Sequence, residues 1–339
     1  MTDVRELLNK LLISSGPSGD ETSIINTISN YFSAFIGNCY TDNLGNLIAH
    51  KSGSGKKIML VAHADEIGLM IKYIDENGFL YFDKVGGIDD SILPGRKVLI
   101  NGISNSIMGV IGKRPIHFMD SSNDSAKISI EDMWIDIAAH NRCEAESLVE
   151  IGSFATIVSP PTYLSKDVIT SKALDDRIGI LILLSVACSK LSTSADVYFV
   201  ASVQEELGAR GIRAATQTIN PDVGIVIDVS HATDYPSVSP MKYGNISLGK
   251  GAVISVGPNM NKEIVSLFKK VALDNSIPFQ IEPIPYPSGT DAQMIQVSGA
   301  GVRTGLIGVP CRYMHTPVET VSLEDVEAAI KIIIGYLNI

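Results

Sequence analysis

The spacing of hydrophobic residues predicts helices followed by strands in the N-terminal part of the chain. Apolar residues recur at helical intervals over 4–12 and again over 24–35, which predicts two amphipathic helices. Residues 41–50 have the alternation and the turn residues of a hairpin at the edge of a sheet. The unbroken apolar run within 57–62 predicts a buried strand that ends at His63.

The middle of the chain has a different pattern from its two ends. Residues 67–164 consist of short alternating runs broken by Gly, Asn and Pro, which is typical of a small β-barrel. The C-terminal part returns to longer elements, predicted as a helix over 177–190, strands over 196–203 and 223–228, and helices over 261–274 and 323–337, the last capped by Ser322. We therefore predict one α/β domain over 1–66 and 165–339, its sheet flanked by helices, with an inserted all-β small-barrel domain over 67–164.

Charge and cysteine content narrow the class of protein. The 339 residues carry 27 Lys plus Arg against 37 Asp plus Glu, and this net charge of −10 argues against nucleic acid or a membrane surface as a partner. The longest nearly apolar run, over 178–188, is shorter than the roughly 18 residues of a membrane-spanning helix. The four cysteines form no Cys-x-x-Cys pair, and the N-terminus lacks the pattern of a signal peptide. We therefore expect a globular protein of the reducing cytoplasm.

Histidine and carboxylate side chains follow the predicted strands and stand in two of the loops. The candidates are His63, Asp65, Asp175, Asp176, Glu205, Glu206, Asp228 and His315. Loops at the carboxyl ends of the strands in an open α/β sheet converge on one crevice, so we expect these side chains to lie close together. Taken alone, each of these side chains could have a purely structural role. A carboxylate ahead of a helix, for example, stabilises the N-terminus of that helix. Together, imidazole and carboxylate form a ligand set that suits Zn, Co or Mn.

Other motifs of common hydrolases are absent from the sequence. It contains no Gly-rich phosphate loop, no G-x-S-x-G and no H-E-x-x-H, so serine and gluzincin mechanisms are not expected. The remaining histidines lack a comparable context and are predicted to be surface or packing residues; they are His50, His117, His140 and His231.

Five motifs carry a resemblance to a known family. VAHADEIG, KALDDRIG, QEELGARG, IDVSHATD and RYMHTPVE, in this order and at these intervals, resemble the M42 family of dinuclear metallo-aminopeptidases. The similarity covers essentially the whole chain, including GPSGDE and TDNLGNLIA near its start. The family includes glutamyl, deblocking and tetrahedral aminopeptidases, and some members have been labelled endoglucanases. The resemblance implies a zinc-peptidase type of fold and metal-dependent release of N-terminal residues from peptides.

The resemblance also implies a role for each candidate residue. The implied metal ligands are Asp175 as a bridge between two divalent ions, His63 and Asp228 on one ion, and Glu206 and His315 on the other. Glu205 would be the general base, and Asp65 would orient the imidazole of His63. Zn or Co is expected, and Mn fits the same ligand set.

Two further expectations come from the same resemblance. The peptide bond between Asp175 and Asp176 is expected to be cis, with Asp176 turned away from the metals to hydrogen-bond the surrounding loop. Similar proteins associate through the inserted β domain, so self-association into dimers and then dodecamers is expected. The sequence departs from the usual family pattern at Ala64, where Met is common, and at Ala252, where Pro is frequent.

Two other functions are compatible with parts of the sequence. A glycoside hydrolase of the endoglucanase type would use paired carboxylates, but it needs no histidine ligands, and Trp134 is the single Trp of a chain with 6% aromatic residues. A non-catalytic metal-binding assembly protein would leave Glu205 without a role. The preferred N-terminal side chain depends on loops such as 285–291 and 308–312, so acidic, neutral and aliphatic preferences all stay open.

Overall fold

A computed structural model describes residues 4–115, 117 and 128–339 of the chain. The helices within these residues are α1 (Val4–Ile13), α2 (Thr22–Phe35), α3 (Arg142–Leu148), α4 (Leu174–Cys188), α5 (Arg210–Ile219), α6 (Pro240–Tyr243), α7 (Lys262–Asp274), α8 (Asp291–Gln296) and α9 (Leu323–Leu337). The strands are β1 (Cys39–Thr41), β2 (Leu47–Lys51), β3 (Lys57–His63), β4 (Gly68–Ile74), β5 (Leu80–Val85), β6 (Lys97–Asn101), β7 (Ser106–Lys113), β8 (Met133–Asp136), β9 (Phe154–Ile157), β10 (Thr162–Tyr163), β11 (Val168–Ser171), β12 (Asp196–Ser202), β13 (Val223–His231), β14 (Ala252–Val256), β15 (Phe279–Pro283), β16 (Arg303–Arg312) and β17 (Glu319–Ser322).

The larger sheet is mixed and has helices packed against it. Its strand order is β1-β2-β12-β3-β13-β16-β17-β11-β10, and β14 lies beside β16 with β15 beside β14. The central strands β12, β3, β13 and β16 run parallel to one another. Helix α4 packs against β3 and β13, α8 packs against β13 and β16, and α9 packs against β14 and β16. This architecture confirms the predicted α/β sheet flanked by helices.

Helix α4 accounts for the longest apolar run of the sequence. All but two of its residues are buried, because it lies between the sheet and the helices α1, α2 and α9. An apolar surface all round a helix is typical of such a central position in a core. No helix in the described part of the chain is both long enough and apolar enough to cross a membrane.

The middle segment forms a closed barrel with its own hydrophobic core. The barrel strands follow the order β4-β5-β8-β7-β6-β9, and Leu69, Phe82, Val98 and Ile135 are buried inside. This confirms the predicted small barrel as part of the fold. The segment is not all β, however, since it also contains α3, whose first turn is capped by Asn141 accepting a hydrogen bond from the Glu144 N–H at 2.9 Å.

The edges of the inserted segment differ in detail from the predicted range. All barrel strands lie between residues 68 and 157. Strand β10 falls within the predicted range 67–164, yet it pairs with β11 of the larger sheet. The division into domains at 67 and 164 therefore stays a prediction, with the barrel itself ending earlier.

A crevice opens where two central strands of the larger sheet separate. Strands β3 and β13 are paired only from Val223 to Val226, although β3 continues to His63 and β13 continues to His231. Beyond Val226, β13 remains paired with β16. The prediction that β13 ends at Asp228 is therefore wrong by three residues, because pairing with β16 extends the strand past this point.

Candidate metal centre

The crevice between β3 and β13 brings together all five predicted metal ligands. They form two groups whose ligand atoms lie within 4.8 Å of one another: His63, Asp175 and Asp228 in the first, and Asp175, Glu206 and His315 in the second. The side chains come from different elements, namely the end of β3, the start of α4, the interior of β13 and the loops after β12 and β16. The expectation that these side chains lie close together is confirmed.

Asp175 belongs to both groups and has one carboxylate oxygen directed to each histidine. Its Oδ1 lies 3.0 Å from Nε2 of His63, and its Oδ2 lies 3.4 Å from Nε2 of His315. Nε2 of His315 also lies 3.2 Å from Oε1 of Glu206. A carboxylate oriented in this way has the geometry of a bridge between two neighbouring binding positions.

Second contacts orient the two imidazole rings. Nδ1 of His315 lies 2.8 Å from the carbonyl oxygen of Gly87, so that a proton on Nδ1 leaves Nε2 as the ligand atom. Nδ1 of His63 lies 3.5 Å from Oδ1 of Asp65, which is longer than a normal hydrogen bond. Asp65 is therefore near the ring, as expected, but its short contacts are with other groups.

Asp65 instead fixes the segment that carries the two glutamates. Its Oδ1 accepts a hydrogen bond from the backbone N–H of Glu205 at 3.0 Å, and its Oδ2 accepts one from the N–H of Glu206 at 3.1 Å. Among the described residues, Glu206 belongs to a ligand group and Glu205 does not. Adjacent residues of this loop thus present their carboxylates to different places.

The electrostatics of the crevice favour a cation. Burial, with neighbouring carboxylates, raises the pKa of Glu205 to about 10 and that of Asp228 to about 8. Hydrogen bonds to Asp175 and Glu206 raise the pKa of His315 to about 11. Although burial opposes it, hydrogen bonds from His315 and His63 lower the pKa of Asp175 below its usual range. Carboxylates crowded together in this way are stabilised in their ionised form when divalent cations lie between them, so the donor set fits two metal ions.

The start of α4 has the predicted backbone but a different hydrogen bond. The peptide bond between Asp175 and Asp176 is cis, as expected. Asp176 lies outside both ligand groups and is fully buried. Its Oδ1 accepts a hydrogen bond from the N–H of Gly179 at 2.9 Å, so Asp176 caps its own helix, and the prediction that it bonds the surrounding loop is wrong.

Three acidic residues that support the site were not among the predicted site residues. Buried Glu319 accepts hydrogen bonds from the N–H of Asp175 at 3.0 Å and from the N–H of His315 at 2.9 Å. Buried Asp291 accepts a hydrogen bond from Ser202 Oγ at 2.6 Å. Buried Glu66 pairs with Lys172 and with Arg177. Each lies in a segment named above, namely VAHADEIG, RYMHTPVE or residues 285–291. The sequence therefore indicated these segments but not the roles of these three residues.

A cavity of about 520 Å³ leads to the candidate ligands. Its wall also includes the apolar side chains of Ile284, Leu306 and Met314 and the polar side chains of Ser230, Glu282 and exposed His231. A second cavity, of about 660 Å³, lies between α9 and the loop residues 249–251 and 275–278. None of the described residues in its wall is a histidine, so it does not bear on this chemistry.

The fold, over nearly the whole chain, is shared with solved peptidases, which defines the protein as an α/β peptidase by class. A TET aminopeptidase from Thaumarchaeota archaeon SCGC AB-539-E09 has a TM-score of 0.94 and 30% identity, covering 99% of this chain and 96% of that chain. The Pyrococcus horikoshii TET1 peptidase, described as assembling into a tetrahedron or a large octahedral shell, has a TM-score of 0.89 and 32% identity, covering 99% of each chain. A Thermotoga maritima structure described as an endoglucanase has a TM-score of 0.80 and 33% identity, covering 97% and 96%.

Sequence comparison identifies the family within this class. The profile of the M42 glutamyl aminopeptidase family matches residues 45–332. The lysyl aminopeptidase of Pyrococcus furiosus is 37% identical over 332 residues, which cover 96% of this chain and 94% of that protein. The chain therefore belongs to the M42 family and is an aminopeptidase, which confirms the resemblance carried by the five motifs.

Proposed function

We propose that the protein is a metal-dependent aminopeptidase that holds two divalent ions around Asp175. The observation that carries this proposal is the position of Asp175, with one oxygen directed to His63 and the other to His315. Shared carboxylates of this kind are found in two-metal hydrolases. The proposed ligands are His63, Asp175 and Asp228 for one ion and Asp175, Glu206 and His315 for the other.

Glu205 is the general base in this proposal. When bound, the two ions polarise the peptide carbonyl and make a water molecule more acidic. Glu205 takes a proton from the attacking water and delivers it to the nitrogen of the leaving amine, while the water oxygen joins the carbonyl carbon. The products are a free amino acid and a peptide shortened by one residue. Asp65 supports this division of roles, because it holds the N–H groups of both Glu205 and Glu206.

The same donor set suggests the metal and the restriction to free N-termini. Two imidazoles with carboxylates suit Zn or Co, and Mn fits as well, so the choice depends on the metal available. The carboxylates that gather in the crevice would also attract the positive charge of an N-terminal amine. A peptide without a free amine would lose this interaction, which gives a reason for cleavage at the end of a chain.

Glycoside hydrolysis is the competing function, because one solved structure with this fold is described as an endoglucanase. Sugar-binding clefts usually offer aromatic side chains, yet none of the described residues in the wall of this cleft is Phe, Tyr or Trp. Paired carboxylates acting on a sugar would also leave His63 and His315 without a role.

One experiment separates these functions. The purified protein is assayed with aminoacyl-p-nitroanilides and, in parallel, with a soluble β-glucan, before and after treatment with a chelator. We expect release of p-nitroaniline that is lost with the chelator and restored by Zn²⁺, Co²⁺ or Mn²⁺, with no release of reducing sugar. Chelator-resistant activity, or hydrolysis of the glucan alone, would contradict the proposal.

We also propose that the protein self-associates through the inserted barrel into dimers and dodecamers. The assemblies described for Pyrococcus horikoshii TET1 support this, since that protein shares 32% identity with the whole chain. The outer surface of the barrel also carries apolar side chains that are about half exposed in the single chain, among them Tyr73, Ile103, Met108 and Val110. Such residues are typical of a surface that is covered in an assembly.

A further inference from the structure

The wall of the cleft contains one carboxylate that the proposed chemistry does not use. Glu282 lies on β15 and is partly buried, and among the described residues it belongs to neither ligand group. The other acidic residues in this wall are Glu205 and the proposed ligands Asp175, Glu206 and Asp228. None of the described residues in the wall is Lys or Arg. Glu282 is therefore an acidic group available to the substrate.

Two serines fix the carboxylate of Glu282. Its Oε2 accepts hydrogen bonds from Ser230 Oγ at 3.2 Å and from Ser255 Oγ at 3.0 Å. Ser255 is fully buried and stands opposite Glu282 in the pairing of β14 with β15. Both serines donate to the same oxygen, so Oε1 is available to a ligand.

The pairing of the strands places Glu282 on the same face of the sheet as Asp228. Ser230 follows Asp228 by two residues in β13, and residues two apart in a strand share a face. Gly308, which stands opposite Asp228 in β16, leaves room for this arrangement, because a Cβ atom at Gly308 would lie only 2.1 Å from Ser230 Oγ. The packing between these strands therefore depends on a residue without a side chain.

The separation along β13 matches the length of a long basic side chain. Two residues of a strand span about 6.6 Å, so Ser230, which donates a hydrogen bond to Glu282, lies roughly this far along β13 from the proposed ligand Asp228. A lysine side chain carries its ammonium group at the end of four methylene groups. Ile284 and Leu306 supply apolar surface in the same wall, against which such a stem can pack.

We propose that Glu282 selects substrates whose N-terminal residue has a cationic side chain, by pairing with that charge. This inference rests on the proposed function, since it assumes that the N-terminal residue lies beside the ligand groups. An acidic side chain would meet Glu282 without any Lys or Arg in the described wall to offset the repulsion. An uncharged side chain would offer Oε1 of Glu282 no charged partner, and water would have to solvate that oxygen.

The variant Glu282→Gln tests the charge while it keeps the size of the side chain and an oxygen that can accept from the two serines. The measured quantity is the ratio of kcat/KM for lysine p-nitroanilide to that for norleucine p-nitroanilide, which has a similar chain length without the ammonium group. We expect the ratio to fall at least about tenfold in Glu282→Gln. The matched control is Glu327→Gln on α9, a residue that is 65% exposed and pairs with Lys331, and it should leave the ratio unchanged.

Two further measurements keep the test decisive if the variant folds poorly. In the wild-type enzyme, the lysine to norleucine ratio should decrease as salt is raised, because salt screens the attraction between charges. In Glu282→Lys, hydrolysis of glutamate p-nitroanilide should increase relative to that of the lysine substrate. Metal content is measured for every variant, so that a loss of ions is not mistaken for a change of specificity.

The outcomes distinguish this inference from the proposed function. If the metal-loaded wild-type enzyme cleaves none of the three substrates, the proposed function fails. If it cleaves norleucine or glutamate substrates well and the lysine substrate poorly, only the inference fails. If it prefers lysine and Glu282→Gln keeps the same preference, another group makes the selection and the role of Glu282 is refuted.

Discussion

Glu319 provides a sharp test of how the metal centre is held, because it touches two ligand segments without being a ligand in the proposed site. Its two carboxylate oxygens accept one hydrogen bond each, Oε2 from the N–H of Asp175 and Oε1 from the N–H of His315. The substitution Glu319→Gln replaces one of these oxygens with an NH₂ group. Whichever way the amide is turned, one backbone N–H then faces another donor.

The size of the effect follows from this lost acceptor. A buried donor left without a partner costs about 1–3 kcal/mol, which corresponds to roughly a five- to 150-fold change in an equilibrium constant. The chain can avoid the donor–donor contact only by moving the segment of Asp175 or that of His315, and either movement displaces a proposed ligand. We therefore expect Glu319→Gln to weaken metal binding by roughly 10–100-fold, the range found for groups that orient metal ligands.

The assay is a competition for Zn²⁺ between the protein and a chromogenic chelator, with the exposed variant Glu327→Gln as the control. Glu319→Asp keeps both oxygens on a shorter side chain and should weaken binding less than Glu319→Gln does. Circular dichroism verifies that each variant is folded. Wild-type affinity for both ions in Glu319→Gln would refute the argument that this carboxylate positions the ligand segments.

Three other predictions follow from the same structure. Glu205→Gln should keep both ions while kcat falls at least about 100-fold, whereas Glu206→Gln should weaken metal binding; metal analysis that found the reverse would exchange the two roles. Burial raises the pKa of Asp325 to about 6, so the folded state binds this proton more tightly than the unfolded state, and the stability that Asp325 contributes should fall as pH rises from about 4 to 6. Asp325→Asn should make the pH dependence of stability shallower over this range in urea unfolding measurements, and an unchanged slope would contradict the prediction. Light scattering should give a mass several times 36.3 kDa, and a fully active monomer would exclude assembly as a requirement.

Several candidate site residues could be predicted because the ends of strands can be recognised in the sequence. The apolar run before His63 and the strand before Glu205 both stop at polar residues, and the parallel order of the central strands then brings those ends together. The helix over 323–337 was predicted at its observed bounds, since its apolar spacing is regular. Ser322 stands at the N-cap position as predicted, but its side chain makes no capping hydrogen bond. Periodicity and residue type were sufficient for these features.

Features that depend on pairing between distant segments could not be read in the same way. The extension of β13 to His231 comes from β16, and the hydrogen bond between Ser230 and Glu282 joins residues 52 positions apart. From the sequence alone, acidic, neutral and aliphatic side chains of the substrate all stayed open, and a basic side chain was not among these alternatives. Only the register of β14 with β15 brings Glu282 into the wall, because nothing local to that residue marks it.

The hydrogen bond between His315 and Gly87 has a consequence for protein engineering. Gly87 belongs to the segment that forms the barrel, and its carbonyl oxygen lies 2.8 Å from Nδ1 of His315. A Cβ atom at position 87 would lie 3.1 Å from the same nitrogen, so a larger residue there would press on the ring. The barrel therefore cannot be exchanged independently of the candidate metal centre. A chimera that carries the barrel of a relative must reproduce the backbone at residue 87, because a different backbone there would displace the imidazole of His315.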